Sequence, residues 1–462
     1  MPVNELWRIQ GVLTARSPLH VGDGLARDPE EVEIASICRD GTGRPYLPGS
    51  SLRGFLREAF ERRFPESVAS MFGQNERQGG ASASARGGLL SVWDALIAEN
   101  VQPSVASHVV LDRQTRTADD GLLYFEEYLP AGTAFSVNLV VECAMHGDGE
   151  DVERLVRELL GMLRELRNDP GRLGSNAASG YGHVEWSLGK VTKLTPKALQ
   201  GWLGSGRQLI DCLESVSISP ESTKYDVTGR YLPIPVKLHF SGPFLVNGAA
   251  KKKKGDDGAN HVAIRTPDGR CRLPGPSIHG ALRSQTERIA RTIAGSDENA
   301  RKWVRDVGTA TGVPEAYTAV DCLWGGVGLR SPVRVTDFEA KQADRTALQD
   351  FVAIDRFTGG GADGLKFQAE GFVNPVLYGE LLVDLGVLRS FAEDQRPPEV
   401  RPDVCDWDQV WLLLAFCLRD WMEGDIRLGF GASKGYGNCR AELQGYSSAK
   451  ELYQTIVSEV KQ

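Results

Sequence analysis

Hydrophobic residues recur at helical spacing directly after two Pro-Gly turns. After GRPYLPGSS (residues 43–51) the apolar positions are Leu52, Phe55, Leu56, Ala59 and Phe60. After GRCRLPGPS (residues 269–277) they are Ile278, Leu282, Ile289 and Ile293. This period predicts an amphipathic helix after each turn. The serines at the junctions, Ser50 or Ser51 and Ser277, are the expected N-caps.

Alternating apolar and polar residues predict strands in other parts of the chain. Residues 7–14 alternate as a strand does, and alternating runs flank a polar tip near residues 107–143 and again near 352–372. Each of these two stretches is typical of a long β-hairpin. Further helices are expected over residues 151–167 and 409–422.

Five motifs occur twice in the same order. The tightest match is a glycine-rich loop, in which Arg172, Leu173, Gly174, Gly180, Tyr181 and Gly182 recur as Arg427, Leu428, Gly429, Gly435, Tyr436 and Gly437. Ordered repetition of this kind indicates a duplicated domain. We predict a first domain over 1–190, a linker over 191–229, a second domain over 230–446 and a C-terminal helix over 447–462. The order strand, helix, strands, helix, strand predicts an α+β fold, with two tandem domains of ferredoxin-like, RNA-recognition-motif-like topology.

Composition sets outer limits. The 462 residues are 41% hydrophobic, enough for two ordinary cores. No apolar run approaches membrane-spanning length and no signal peptide is evident, so we expect a cytoplasmic protein with no membrane partner. Eight cysteines without a CxxC pair indicate reduced thiols rather than a zinc site. The net charge of −8 leaves room for a local basic face.

Several residues could hold a phosphate backbone. A helix N-terminus presents free N–H groups to an anion, and the glycine loops let backbone amides approach phosphates closely. The simpler interpretation of the repeated turn is a loop and core helix with solvated arginines. The RNA-binding candidates at these places are Ser50, Ser51, Arg53, Arg57, His279, Arg283, Gly174, Gly180, Gly182, Gly429, Gly435, Gly437, Lys434 and the run Lys251, Lys252, Lys253 and Lys254.

The motifs SPLHVGDG, GRPYLPGSSLRG, DRFTGGGADG and RLGFGASKGYG resemble the RAMP superfamily, the repeat-associated proteins of CRISPR systems. The similarity covers nearly all of both halves and is strongest to the backbone subunits of type III effector complexes, in particular the fused double subunits of type III-D. It implies binding of a guide CRISPR RNA and of single-stranded target RNA, with other type III effector subunits as neighbours. It also implies that each hairpin is a thumb wedged into the guide and target duplex, where the expected wedge residues are Arg113, Arg116, Arg356 and Phe357.

The resemblance further implies a loop carboxylate that promotes metal-dependent cleavage of the target RNA by the neighbouring 2′-hydroxyl. The family spacing does not place an aspartate at the expected position in either half. The nearest acids are Asp257 and Asp256 in the second half, followed by Glu33 and Asp28 in the first. Mg²⁺ or another divalent cation, bound weakly by Asp256 and Asp257, would supply the charge stabilisation.

Two alternatives stay open. The chain could be a scaffold that binds guide RNA without catalysis, since the expected aspartates are displaced. It could also be an endonuclease that processes precursor guide RNA, an interpretation that depends on His279 as the histidine near the first helix of its domain.

Overall fold

The computed structural model describes residues 5–24, 34–73, 87–99, 101–111, 118–143, 151–169, 171–203, 205–221, 231–248, 259–266, 268–295, 304, 317–326, 328–387 and 407–460. This part of the chain forms two compact units that divide near residue 227. Residues 109–111, 118–122 and 178–180 group with the second unit.

The first unit contains four helices and ten strands among the described residues. The helices are α1 (Gly49–Glu61), α2 (Val68–Phe72), α3 (Val152–Arg164) and α4 (Pro196–Leu203). The strands are β1 (Glu5–Ala15), β2 (Ile34–Ala35), β3 (Tyr46–Leu47), β4 (Leu90–Val92), β5 (Ala95–Ile97), β6 (Ser104–Leu111), β7 (Ala118–Tyr128), β8 (Ala134–Cys143), β9 (Val184–Lys193) and β10 (Glu214–Ser215).

The main sheet of the first unit has the order β10-β9-β1-β8-β5-β3, with β4 also paired to β8. Strand β1 is antiparallel to both neighbours, with Ile9 opposite Leu139 on one side and Val191 on the other. Along the chain, β1 is the first strand of the ferredoxin-like unit, β4 and β5 are the second, β8 is the third and β9 is the fourth. In the sheet they take the order fourth, first, third, second, which is the ferredoxin-like order. Strand β10 extends this sheet, so the described part of the predicted linker contains α4 and an edge strand of the first unit.

The second unit repeats this plan. Its helices are α5 (Gly275–Ala294), α6 (Ala319–Trp324), α7 (Trp407–Glu423) and α8 (Ala449–Val460). Its strands are β11 (Tyr231–Phe240), β12 (Pro243–Phe244), β13 (Asn247–Gly248), β14 (His261–Ala263), β15 (Arg272–Leu273), β16 (Val333–Val335), β17 (Phe338–Ala340), β18 (Thr346–Ile354), β19 (Gly361–Val373), β20 (Val376–Asp384) and β21 (Cys439–Leu443). Its sheet has the order β15-β17-β20-β11-β21. Read from β21, this is again fourth, first, third, second. Two tandem ferredoxin-like domains are therefore confirmed.

A separate hairpin sheet accompanies each main sheet. Strands β6 and β7 form the first hairpin, and the short β2 runs parallel to β7 at Phe125 and Glu126. Strands β18 and β19 form the second hairpin, and β14 runs parallel to β19 at Ala369 and Glu370. Each hairpin therefore carries, along one edge, the strand that leads toward the repeated Pro-Gly turn.

Each unit has a core of its own. The predicted apolar positions of α1, from Leu52 to Phe60, are all buried. In α5, Ile278 and Leu282 are buried and Ile289 is partly buried, but Ile293 is 46% exposed. The buried side of α5 ends at Ala290, so the prediction for Ile293, in the last turn of the helix, was wrong.

The seven described cysteines are free thiols. Among the described helices, none combines the length and apolar character needed to span a membrane.

Candidate nucleic-acid interface

The N-termini of the two repeated helices are closed by aspartates. The first N–H group of α1, that of Gly49, donates to Asp94 Oδ1 at 2.7 Å. The corresponding N–H group of α5, that of Gly275, donates to Asp337 Oδ1 at 2.8 Å. The N-cap residues are Pro48 and Pro274, and neither makes a side-chain cap.

The predicted serine caps are therefore corrected, because both helices begin before the serines. Ser50 and Ser51 lie inside the first turn of α1, where Ser50 is exposed and Ser51 is half-buried. In both helices a carboxylate already satisfies the first donor that a phosphate would use. The charge of Asp94 also opposes the approach of an anion, whereas that of Asp337 is offset by Arg272, whose Nε donates to Oδ2 at 2.8 Å.

Arg53 and Arg57 are turned toward the end of α2. Arg53 Nη2 donates to the carbonyl of Phe72 at 2.9 Å, and its guanidinium lies 5.6 Å from the centre of the Phe72 ring. Arg57 Nη1 donates to the carbonyls of Phe72 at 3.2 Å and Gly73 at 2.9 Å. These arginines satisfy carbonyls that the end of a helix leaves without an intrahelical partner.

Arg283 has the same role in the second unit. It donates to the carbonyl of Gly325, the residue that ends α6, and to Asp321 Oδ1 at 2.8 Å. It also donates to Glu287 Oε1 at 3.1 Å. The repeated arginines thus have partners within the protein, and an RNA phosphate would have to compete with those contacts.

His279 packs inside the second unit. The edge of its ring meets Trp324 with centroids 5.2 Å apart, and Nε2 lies 3.4 Å from Ser331 Oγ. Burial, together with the neighbouring Arg283, lowers the pKa of His279 to about 4. The imidazole is therefore neutral at pH 7, and its packing gives no support to a role in precursor processing.

The glycine loops bring the chain close to itself. A Cβ on Gly174 would lie 2.1 Å from the carbonyl oxygen of His20, and one on Gly182 would lie 2.0 Å from that of Leu173. In the second unit, a Cβ on Gly429 would lie 2.4 Å from the carbonyl oxygen of Leu245, and one on Gly437 would lie 2.0 Å from that of Leu428. These four glycines are needed for close backbone approach within the loop, whatever else the loop binds.

Gly435 differs from those four. Its φ of +83° lies in the left-handed region, yet a Cβ would meet nothing within 4 Å. Gly180, its counterpart by sequence, has the same φ of +83°. The two tyrosines that follow, Tyr181 and Tyr436, are buried rather than free to stack on a base. Space beside the backbone therefore remains at Gly435 for a ligand.

Lys434, directly before Gly435, lies over two aromatic rings. Its Nζ is 5.7 Å from the centre of Phe430 and 6.0 Å from that of Phe367. His261 lies against Phe430 with centroids 4.6 Å apart, and burial and Lys434 lower its pKa. The structure thus brings together an exposed cation, aromatic surface and an open glycine at the base of the second hairpin.

The second hairpin also exposes apolar side chains. Phe357 at its tip is fully exposed, and its N–H donates to Asp355 Oδ1 at 2.8 Å, which shapes the turn. Arg356 beside it is exposed as well. Along β18, Leu348, Val352 and Ile354 are 57%, 47% and 62% exposed. Such a series is unusual on a surface that stays in water.

The remaining predicted residues lie outside the described part of the chain. They are the acids Asp28, Glu33, Asp256 and Asp257, the lysines Lys251, Lys252, Lys253 and Lys254, and the first-hairpin arginines Arg113 and Arg116.

Within the described ranges, the carboxylates close enough to share a cation are those of Asp420, Glu423 and Asp425. Asp420 already accepts hydrogen bonds from Gln285 at 2.6 Å and Arg419 at 2.7 Å. The group therefore gives no support for a metal centre.

A buried polar network in the first unit was missed by the sequence reasoning. Glu126, 4% exposed, accepts hydrogen bonds from Asn176 Nδ2 at 2.6 and 2.7 Å. Two imidazoles face the same carboxylate, with His20 Nδ1 at 3.6 Å and His108 Nε2 at 3.4 Å. The joint approach of His20 and His108 to one acid is not apparent from positions so far apart in the chain.

The family comparison agrees with the repeated architecture. The model of the RAMP superfamily matches residues 12–185 and again residues 202–440. No curated protein matches the chain.

Proposed function

The chain belongs to the RAMP superfamily, and from this premise we propose that it is a tandem backbone subunit of a type III CRISPR effector ribonucleoprotein of the fused, type III-D kind. In this proposal each domain binds the guide CRISPR RNA, the hairpins enter the duplex between guide and target RNA, and other effector subunits flank the chain. The target RNA is cleaved within the assembled complex, as part of antiviral defence.

The exposed apolar residues of the second hairpin carry this proposal. Phe357 is fully exposed and three more apolar side chains are at least 47% exposed along β18. Their exposure to water is unfavourable unless a partner covers them. A base stack supplies such a surface, and the guanidinium of Arg356 beside Phe357 suits the phosphates around it.

Guide binding is assigned to the base of the same hairpin. Lys434 offers an exposed ammonium group over Phe430 and Phe367, and Gly435 leaves the backbone accessible. A phosphate can approach a backbone of this kind closely while the lysine neutralises its charge. Lys251, Lys252, Lys253 and Lys254 are proposed to extend the basic surface.

Cleavage is assigned to Asp257 and Asp256, with Glu33 and Asp28 as the second pair. Mg²⁺ bound by Asp256 and Asp257 would stabilise charge on the non-bridging oxygens of the scissile phosphate. The protein's own contribution would be to hold a displaced nucleotide so that its 2′-hydroxyl lies in line with the phosphate. If the acids prove dispensable, the scaffold alternative applies.

The hairpin assignment is tested with Phe357→Ala in the full chain, assembled with guide RNA and presented with labelled target RNA. Loss of the ring should weaken target association roughly tenfold, because base–aromatic stacking contributes about 1–3 kcal/mol per base. Leu203→Ala is the matched control, since Leu203 is 73% exposed on α4 and belongs to neither hairpin. Equal target affinity for Phe357→Ala and Leu203→Ala would show that the tip of the second hairpin does not contact the target RNA.

A further inference from the structure

A half-exposed aromatic stack lies at the base of the first hairpin. The rings of His108 and Tyr124 are stacked, with centroids 4.9 Å apart and planes 17° from parallel. Tyr124 is 47% exposed. The ring pair therefore offers aromatic surface to solvent, with a second ring behind it.

A buried carboxylate lies behind the inner ring of this stack. His108 Nε2 lies 3.4 Å from Glu126 Oε2, and that carboxylate is held by the amide of Asn176. His20 approaches the other carboxylate oxygen, and its Nδ1 lies 2.6 Å from the carbonyl oxygen of Glu127. Because the His108 ring is packed between Tyr124 and this carboxylate, little side-chain freedom is lost when a ligand stacks on the pair.

The second unit shows that the fold does not need this network. The bridge Leu19–Leu129 in the first unit corresponds to the pair Phe244–Phe372 in the second. By this register Glu126 corresponds to Ala369 and His20 to Leu245, and the spacing after Gly174 and Gly429 places Gly431 where the first unit has Asn176. Every polar group of the network thus has an apolar residue or a glycine at the equivalent position.

The stack itself recurs in the second unit, but there other aromatic side chains pack on both of its rings. Phe351 and Phe367 are stacked at 4.9 Å with planes 14° from parallel. Tyr436 packs on Phe351 at 6.0 Å, and His261 meets Phe367 at 5.5 Å. Both phenylalanines are half-buried. An exposed aromatic ring stacked on a half-buried one is therefore a feature of the first hairpin.

We propose that Tyr124, backed by His108 and positioned through Glu126, forms a stacking site for one unpaired nucleobase of bound RNA. The inference rests on the proposed RNA-binding function and adds a specific contact to it. Unpaired bases stack on Tyr and His rings, whereas bases inside an A-form duplex are not accessible in this way. Tyr124 contacts the base in this arrangement, and Glu126 is a positioning residue.

The test uses the full chain and a single-stranded RNA oligonucleotide carrying 2-aminopurine at successive positions. Tyr124→Ala should weaken binding roughly tenfold and abolish the fluorescence quenching at one position. Tyr124→Phe, which keeps the ring, should stay within about twofold of wild type. Glu126→Gln should retain most of the affinity but reduce the quenching, since the inner ring loses the carboxylate charge 3.4 Å from its Nε2.

Trp93→Ala is the matched control, because Trp93 is another exposed aromatic residue of the first unit at 44% exposure. A fully paired RNA duplex should bind Tyr124→Ala and wild type alike. If wild type binds the single strand and Tyr124→Ala binds it equally well with unchanged quenching, the stacking site is refuted while the RNA-binding function stands. If wild type binds no RNA, the proposed function itself fails.

Discussion

At the scale of single residues, several side chains that suggest RNA chemistry are committed to the protein. His279 is an example, because its ring is packed against Trp324 and its pKa is lowered to about 4. The free histidine side chain titrates near 6.5. Between pH 4 and pH 6.5 this histidine is therefore protonated in the unfolded chain and neutral in the folded chain.

This difference predicts a pH dependence of stability. Because the unfolded state holds more protons between pH 6.5 and 4, the free energy of unfolding should fall as the pH drops through this window. Compared with His279→Asn, wild type should lose about 1–2 kcal/mol more between pH 7 and pH 5. Urea denaturation at both pH values measures the difference.

His183, whose pKa is also lowered to about 4, is present in both proteins and cancels from this comparison. Parallel stability profiles for wild type and His279→Asn would show that His279 takes up its proton in the folded state.

At the scale of elements, the repeated turn and helix are joined to distant segments by a repeated set of contacts. Asp94 and Asp337 close the starts of α1 and α5, while Arg57 and Arg283 close the ends of α2 and α6. The duplication therefore preserves a way of satisfying helix termini. This explains why the motif recurs without requiring that each copy bind phosphate.

A substitution of Arg283 separates these two roles. Arg283→Met removes a cationic partner of Asp321, which is 1% exposed, so the second unit should lose about 3 kcal/mol of stability. Arg291→Met, in the same helix, removes the 3.7 Å ion pair of the partly exposed Arg291 with Glu287, which keeps Arg283 as a partner, and should cost less than about 1 kcal/mol. Chemical denaturation measures both.

RNA affinity of the folded variants decides the role of Arg283. Under conditions in which Arg283→Met is fully folded, we expect the RNA affinity of wild type. A tenfold loss of RNA affinity in folded Arg283→Met, with the affinity of Arg291→Met unchanged, would show that Arg283 contacts RNA.

At the scale of the whole molecule, the two domains share one topology but differ in the residues at the bases of their hairpins. The first has a buried carboxylate network at the hairpin base, and the second has Lys434 over aromatic rings. We therefore expect the two domains to contribute differently to RNA binding and cleavage.

Cleavage position is the measurement that separates the domains. In a reconstituted complex with Mg²⁺, this chain should produce up to two cuts in the target RNA. The double change Asp256→Ala and Asp257→Ala should slow one cut by about 100-fold, the usual effect of losing one electrostatic stabiliser, while target binding is retained. The pair Glu33→Ala and Asp28→Ala is the matched test for the other. Survival of both cuts in both double variants would favour the scaffold alternative.

The fold could be predicted because its information is local and repeated. The apolar period of α1, the hairpin alternation and the duplicated glycine loop each lie within a short stretch, and together they define the ferredoxin-like order. The site was harder to predict, since Asp94 meets Gly49 across 45 residues and His108 meets Glu126 through the hairpin. The contacts of Arg53 and Arg57 with a carbonyl of α2 could not be predicted either, because short-range patterns do not show which segments pack together.

The aspartate that closes the start of α1 also restricts the course of an RNA strand. Asp94 places a negative charge within hydrogen-bond distance of the Gly49 amide that would otherwise attract a phosphate. At physiological ionic strength such a charge acts over about 8 Å, which is longer than the spacing between successive phosphates of a strand. At the start of α5 the guanidinium of Arg272 pairs with Asp337 and offsets its charge. In the first domain the phosphates of a bound strand are therefore repelled along the start of α1, where only uncharged base or ribose edges can lie without an electrostatic penalty.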